Sequence, residues 1–410
     1  MPARPALCLR PRDLRRGAVL TLALLAALGA TASAGCWERG DEHRIEAVGI
    51  GAGGADPGRG SRTGDGSATG DGSGPRSGTA DRDAVARAAA EAVAEGKSGK
   101  KAAQEVVSRS GDRWGVVYDP GEYEAFEQDL DGHWTGVGLW VGRGRGDRIE
   151  VDRVQPGGPA DRAGIAPGDL LQEIDGRPVT GLPAAEVVAL LRGAAGTPVE
   201  LRLTGRDGGV RTAALRREQL SSEPVTVTQL PGRITVIKVA SFTRGSGERV
   251  RSAVRAAPAD AGFLLDLRGN PGGLVAEAVT AASAFLDGGL VATYDVRGRE
   301  RALYAEPGGD TGRPLVALVD GGTMSAAELV TGALQDRGRA VTVGSRTFGK
   351  GAVQMPTELP DGSVAELTVG TYRTPAGRSL DGRGITPDLA AGPRAEERAR
   401  SVLGGLRGPS

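Results

Sequence analysis

Two short and almost wholly apolar runs constrain this chain most: Gly262-Phe263-Leu264-Leu265-Asp266-Leu267 and Pro314-Leu315-Val316-Ala317-Leu318-Val319, each bounded by turn residues. Runs of this length and composition read as strands buried on both faces. Ile234–Val239 reads as a further strand, and residues 247–257 and about 274–286 as helices. Such alternation predicts an α/β core, because a sheet buried on both faces needs helices to cover it.

Each run leads into a turn that can carry chemistry. After the first comes Asn270-Pro271-Gly272-Gly273 and then a helix, and a glycine turn ahead of a helix exposes backbone N–H groups able to stabilise an oxyanion. The second delivers the chain to Ser325 in Gly321-Gly322-Thr323-Met324-Ser325-Ala326-Ala327-Glu328. Ala326, Leu329, Val330, Ala333 and Leu334 then share one helical face, which places Ser325 at a helix N-terminus where developing negative charge is favoured. Ser325 and Glu328 also spell a capping box, in which the serine simply accepts backbone N–H bonds. These residues alone leave both readings open.

A scarcity of lysine separates them. Of 51 basic residues only five are lysine, at 97, 100, 101, 238 and 350, and Lys350 sits in Phe348-Gly349-Lys350-Gly351. Guanidinium does not release its proton in proteins, whereas a desolvated ammonium becomes a neutral amine and a general base. To do so near neutral pH it must drop roughly three units from a reference of about 10.4, roughly 4 kcal/mol of desolvation, in a pocket with no close carboxylate. Gln354 is a neutral partner that can orient such an amine. In a fully extended chain the two side chains start about 13 Å apart, so a bend near Gly351 is required. Asp336, in Gln335-Asp336-Arg337-Gly338-Arg339, is expected to pair with arginine, and Glu328 to act as a cap or structural carboxylate.

Composition excludes several alternatives. The 51 acidic residues balance the 51 basic ones, which removes any general electrostatic reason to expect nucleic acid. Only two histidines, His43 and His133, are available for a Ser-His-Asp triad or a metal site, and neither neighbours Ser325 in sequence. No metal or other cofactor is expected.

Residues 1–36 combine five arginines, an apolar run over 18–28 and small residues, and read as a signal sequence. Ala32-Ser33-Ala34 suits ordinary cleavage; Ser33-Ala34-Gly35-Cys36 is a degenerate lipoprotein box with Cys36 as the lipidated residue and membrane anchor; an uncleaved anchor helix is a third reading, for which the apolar run is short. An exported location, periplasmic or otherwise extracytoplasmic, follows from each. Residues 37–80, rich in Gly, Ser, Asp, Thr and Arg, read as a disordered linker. A helical pattern over about 82–109 lies within a short N-terminal cap, 81–130. Within it, Glu95-Gly96-Lys97-Ser98 is a decoy for a phosphate loop and Ser98-Gly99-Lys100-Lys101 for a penicilloyl-serine motif.

From 131 to 217 short strands alternate with turns. Gly136-Val137-Gly138-Leu139-Trp140-Val141, Gly157-Gly158-Pro159-Ala160-Asp161-Arg162-Ala163-Gly164-Ile165 and Pro167-Gly168-Asp169-Leu170-Leu171-Gln172-Glu173-Ile174-Asp175-Gly176 together resemble a PDZ domain. Gly136, Val137, Gly138 and Leu139 would bind a peptide carboxylate through backbone N–H groups, and residues 186–192 would form the helix across the groove.

With these residues in view, the chain resembles the carboxyl-terminal processing peptidases, or tail-specific proteases, from about Trp114 to Leu389. The resemblance runs through Tyr123-Glu124-Ala125-Phe126, the PDZ series, the Asn-Pro-Gly-Gly turn, Ser325-Ala326-Ala327-Glu328, Thr347-Phe348-Gly349-Lys350-Gly351-Ala352-Val353-Gln354, and Thr374-Pro375-Ala376-Gly377-Arg378 with Gly384-Ile385-Thr386-Pro387-Asp388. It implies Ser325 as nucleophile, Lys350 as general base, Gln354 as its orienter, and Gly272, Gly273 and the Ala326 N–H as oxyanion hole. It implies a crotonase-like α/β core, here bounded at 218–395, and as partners protein or peptide substrates with free C-terminal tails; residues 396–410 read as a C-terminal tail. The rival reading is a catalytically silent PDZ adaptor that presents substrates to another protease. A crotonase-like enzyme acting on thioesters is a second rival, which the PDZ module disfavours.

Overall fold

The structure, a computed structural model, describes residues 78–143, 147–182, 184–296 and 299–406. The expected signal sequence, Cys36 and nearly all of the linker lie outside the described residues.

In chain order the first part comprises α1 (Arg82–Ala94), α2 (Gly99–Ser110), β1 (Val116–Tyr118), α3 (Pro120–Leu130) and β2 (His133–Gly136). A module follows with β3 (Leu139–Arg143), β4 (Ile149–Val154), α4 (Pro159–Arg162), β5 (Leu170–Ile174), β6 (Arg177–Pro178), α5 (Ala184–Leu191), β7 (Pro198–Thr204) and β8 (Val210–Arg216). The remainder contains β9 (Glu218–Ser221), β10 (Val225–Leu230), β11 (Ile234–Val239), α6 (Ser246–Ala256), β12 (Gly262–Asp266), α7 (Val275–Ser283), β13 (Leu290–Val296), β14 (Arg299–Tyr304) and β15 (Leu315–Val319). It ends with α8 (Ala326–Asp336), β16 (Val341–Gly344), β17 (Ala352–Glu358), β18 (Val364–Arg373), β19 (Leu389–Ala390) and α9 (Ala395–Leu406).

The two apolar runs become β12 and β15, adjacent parallel strands at the centre of a sheet ordered β10-β11-β12-β15-β16-β19. Every residue of both strands is buried. Helices α6, α7 and α8 cover one face through Val250, Val254, Ala278, Ala282, Val330 and Ala333. The opposite face is covered by α9, whose Ala395, Ala399 and Leu403 are buried against Leu264, Val316 and Val343.

That packing corrects the expectation of a C-terminal tail at 396–410. The four-residue spacing of its apolar positions is diluted by Glu396, Glu397, Arg398 and Arg400, so the segment reads as solvated until the sheet face that it covers is known.

A second correction concerns the N-terminal cap. The helical pattern over 82–109 breaks at Glu95–Ser98, and Ser98 caps α2, its hydroxyl accepting the Lys101 N–H at 3.2 Å. Ala80, Val85, Ala89, Ala103 and Val107 form one cluster with Val117, Ala365 and Leu367. Residues from Ala80 onward therefore pack into the main body, and β1 joins it directly, pairing antiparallel with β18.

The module between β2 and β9 has its own core, including Ile149, Leu171, Ile174, Val187, Leu201 and Leu203. Chain entry and exit run side by side as a two-stranded antiparallel ribbon, β2 with β9.

Candidate active site

Ser325 stands where β15 has delivered the chain and α8 begins. Its φ of 50° is one that residues with a Cβ rarely adopt, and such strain, about 1–3 kcal/mol, persists only where neighbours enforce it. Glu328, one turn on and fully buried, is the enforcing group. Its Oε2 accepts the Ser325 N–H at 3.0 Å and the Lys350 N–H at 2.8 Å. Its Oε1 accepts the Gly349 N–H at 2.8 Å and the Thr347 hydroxyl at 2.5 Å. Burial pushes this carboxyl above its ordinary value, and the four donors pull it back.

The capping alternative for Ser325 is half realised. Glu328 reaches back to the Ser325 N–H, but the Glu328 N–H donates to the Ser325 main-chain carbonyl at 2.8 Å and the hydroxyl makes no capping bond. Glu328 thus acts as a cap, as expected, and also ties the serine turn to the lysine loop. The sequence shows the first role through the three-residue spacing; the second joins segments about twenty residues apart and has no local signal.

Lys350 is half-buried. Desolvation lowers its pKa to about 8, against the pull of Glu366 and Asp112, which favour the ammonium. Its Nζ lies 5.7 Å from the centre of the Trp114 ring. No hydrogen bond joins Lys350 Nζ to Ser325 or to Gln354; the Gln354 amide donates instead to the Trp114 carbonyl at 2.7 Å. A bulge between Val353 and Gln354 breaks the extended register, and Lys350 and Gln354 line one cavity with Ser325.

Gly272 and Gly273 differ in role. Gly272, at φ 102°, packs so closely that an added Cβ would stand 3.0 Å from the Ser325 Cβ and 3.1 Å from the Ala326 nitrogen. Its N–H is already donated to Asn270 Oδ1 at 2.8 Å, which removes it from the expected oxyanion donors. Gly273, at φ 128°, lies against Phe242, where a Cβ would meet the carbonyl oxygen at 2.4 Å. The Phe242 N–H donates to Gly272 and the Leu274 N–H to Phe242, so this β-bridge leaves the Gly273 N–H without a partner. The Ala326 N–H is likewise unpartnered among the described residues. Two donors therefore flank Ser325 where three were expected.

Asp336 pairs with Arg378 and accepts the Ala376 N–H at 2.8 Å, as its arginine-rich surroundings suggested.

The cavity at Ser325 has a volume of about 460 Å³ and continues to the module, where Val137, Leu139, Val141, Val188 and Leu191 line it. Of the expected peptide-binding residues, Val137 and Leu139 face this space. Gly136 is packed under Trp134, whose ring would stand 2.8 Å from an added Cβ, and Gly138 provides the turn at φ 82°. At the end of α5, Arg192 faces Asp129 of α3 at 3.8 Å; burial raises the Asp129 carboxyl to about 9 and lowers Arg192 to about 10. Neither this pair nor the Glu366 beside Lys350 was identifiable from sequence. No group of three or more His, Cys, Asp or Glu able to hold a metal occurs among the described residues.

Residues 233–391 match the profile of peptidase family S41, and residues 150–204 that of a PDZ domain. The chain is 36% identical over 303 residues to the protein named carboxyl-terminal-processing peptidase 3, chloroplastic, of Arabidopsis thaliana, covering 69% of this chain and 58% of that relative. It is 32% identical over 284 residues to the carboxy-terminal processing protease CtpA of Bacillus subtilis (strain 168), covering 68% and 61% respectively. The chain thus spans about three fifths of these curated relatives. Among solved structures, that titled photosystem II D1 C-terminal processing protease is 31% identical with a TM-score of 0.50, covering 76% of this chain and 87% of that one. With the strained serine and the lysine loop inside the peptidase match and most of the module inside the PDZ match, the chain belongs to peptidase family S41 and carries a PDZ domain.

Proposed function

We propose that this chain is an exported serine endopeptidase that captures a protein's free C-terminal tail in its PDZ groove and cleaves peptide bonds near that end. The observation that carries this reading is the single cavity running from Val137, Leu139 and Val188 to Ser325 and Lys350. An adaptor needs the first set of residues and has no use for a strained serine beside a desolvated amine. A crotonase-like arrangement of the core, implied by the family resemblance, is part of the same proposal, as is export, with cleavage after Ala34 or lipidation of Cys36 as its two forms.

In the proposed mechanism the neutral Lys350 amine takes the proton from Ser325 Oγ as the oxygen attacks the scissile carbonyl. The Gly273 and Ala326 N–H groups receive the negative charge that develops on the carbonyl oxygen. As the intermediate collapses, the C–N bond breaks and the Lys350 ammonium gives its proton to the departing amine, leaving an ester on Ser325. Water, deprotonated by the same amine, hydrolyses the ester. Gln354, anchored on Trp114, orients the amine once substrate fills the cavity.

The test compares wild type, Ser325→Ala and Lys350→Arg on an unfolded protein with an apolar free C-terminus. Loss of cleavage by at least about 10³-fold in both variants is expected. Cleavage that survives in Ser325→Ala would remove the nucleophile assignment, and a wild type that binds tails without cutting them would favour the adaptor.

A further inference from the structure

Glu366 stands in the middle of β18, opposite Val116 of β1 and Pro356 of β17. Its neighbours Ala365 and Leu367 pack into the N-terminal cluster. Strand alternation therefore turns Glu366 the other way, into the cavity that it lines with Lys350, Gln354, Trp114 and Tyr118. There its carboxylate has no hydrogen bond and no ion pair within 4 Å among the described residues.

The second acid acting on Lys350, Asp112, is differently placed: it accepts bonds from Trp114 N–H, Gly115 N–H, Thr368 N–H and the Thr368 hydroxyl at 2.7–3.1 Å. Asp112 is thus a structural clasp, and Glu366 is the carboxylate left open to the cavity. Around Glu366 stand Lys350, which attracts its charge, Glu127 of α3, which repels it, and the Tyr118 and Tyr123 phenols, whose ionisation it opposes.

Resting on the Ser325/Lys350 reading, we propose that Glu366 is a positioning residue: its carboxylate, facing the Lys350 amine across the cavity without touching it, holds that amine toward the ammonium form and so restrains the base. Neutralising Glu366 releases the restraint. The electrostatics run in the same direction. Burial raises the Glu366 carboxyl to about 7 and lowers Lys350 to about 8, each charge favouring the other. As pH rises through 7, Glu366 ionises and retards the deprotonation of Lys350. Across one cavity at intermediate dielectric, such a charge shifts its partner by about 0.5–1 pH unit.

The experiment uses the full chain carrying Ser325→Ala, with and without Glu366→Gln, labelled with acetic anhydride across pH 6–11 and read by mass spectrometry. Only five lysines are present, and Lys97, with a side chain 71% exposed, serves as internal reference. The Lys350 labelling midpoint is expected to fall by about 0.5–1 pH unit in Glu366→Gln while Lys97 does not move. With Ser325 intact, the acidic limb of kcat/KM should move down by the same amount. A Lys350 midpoint that stays in place overturns the inference, whatever happens to activity. A midpoint that moves in a protein that hydrolyses nothing upholds the inference and removes the peptidase reading. A change confined to KM for substrates bearing Lys or Arg, with the midpoint unmoved, would assign Glu366 to substrate recognition and overturn it as well.

Discussion

Glu328 and Glu366 border the same site, and they could hardly be treated more differently by the fold. Glu328 is fully buried and receives four donors, one from the serine turn and three from the lysine loop. Glu366 is half-buried and receives none among the described residues. A satisfied buried carboxylate rigidifies what it touches; an unsatisfied one remains an electrostatic influence whose size depends on pH and on whatever enters the cavity. The site therefore combines a fixed frame, in which Ser325 is held in an unfavourable backbone conformation, with a soft wall, in which the charge state of Lys350 is open to adjustment.

The sharpest attack on this contrast goes through the oxyanion donors. Gly273→Ala would drive a methyl group into the Phe242 carbonyl and displace a donor. Activity should drop by about 10²–10³-fold with the PDZ module still binding tails, a split that kinetics and a peptide-binding titration on one sample would resolve. Retained activity would mean that the frame is not built around that N–H.

Next in size is the exchange of the two acids for amides. In Glu328→Gln, either orientation of the amide sets an NH₂ group against two donors, so stability should fall by about 2–4 kcal/mol in urea denaturation. Glu366→Gln breaks no bond and removes an unpaired charge. The Glu366 carboxyl is raised in the folded state relative to the unfolded one, so its ionisation disfavours the fold above about pH 7. Its amide variant should thus match or exceed the wild type by up to about 1 kcal/mol at pH 8 and show less gain at pH 5. Equal losses in the two variants would abolish the distinction.

A comparable or smaller effect is expected at the base itself. Lys350 has a lowered pKa in the folded protein, so the unfolded chain binds its proton more readily, and the penalty for holding the ammonium is fully present below about pH 8. Lys350→Met should raise stability on the order of 1–3 kcal/mol at pH 7, and the gain should fade as pH approaches 10. A destabilised Met variant at pH 7 would show that the amine is better solvated than the cavity implies. The smallest effect lies far from the site: Ser98→Ala removes the α2 cap and should cost about 1 kcal/mol with kcat/KM unchanged.

Much of the frame was legible in sequence because its signals are local. The strands at 262–267 and 314–319, the helix after Ser325 and the isolated Lys350 are each defined within ten residues or so, by apolar runs, helical periodicity or composition. The C-terminal helix was misread because the periodicity of Ala395, Ala399 and Leu403 is weak until the sheet face beneath it is known. The assignment of Gly272 as a donor failed for a comparable reason: nothing short of atomic geometry shows that the Asn270 side chain, two residues back, takes that N–H.

The sequence by itself determined the central strands and the helices that follow them, the place of Ser325 at the head of α8, the PDZ module and the family resemblance, because backbone propensity and side-chain periodicity act over a few neighbours. Tertiary structure alone decided which groups meet. Strand pairing brings residue 366 beside 116 and 356, a buried carboxylate closes the distance from 325 to 350, and the main body and PDZ module meet along one cavity. Charge state follows from that assembly, since desolvation and the nearest unpaired charge are properties of the folded surroundings and leave no mark on the chain.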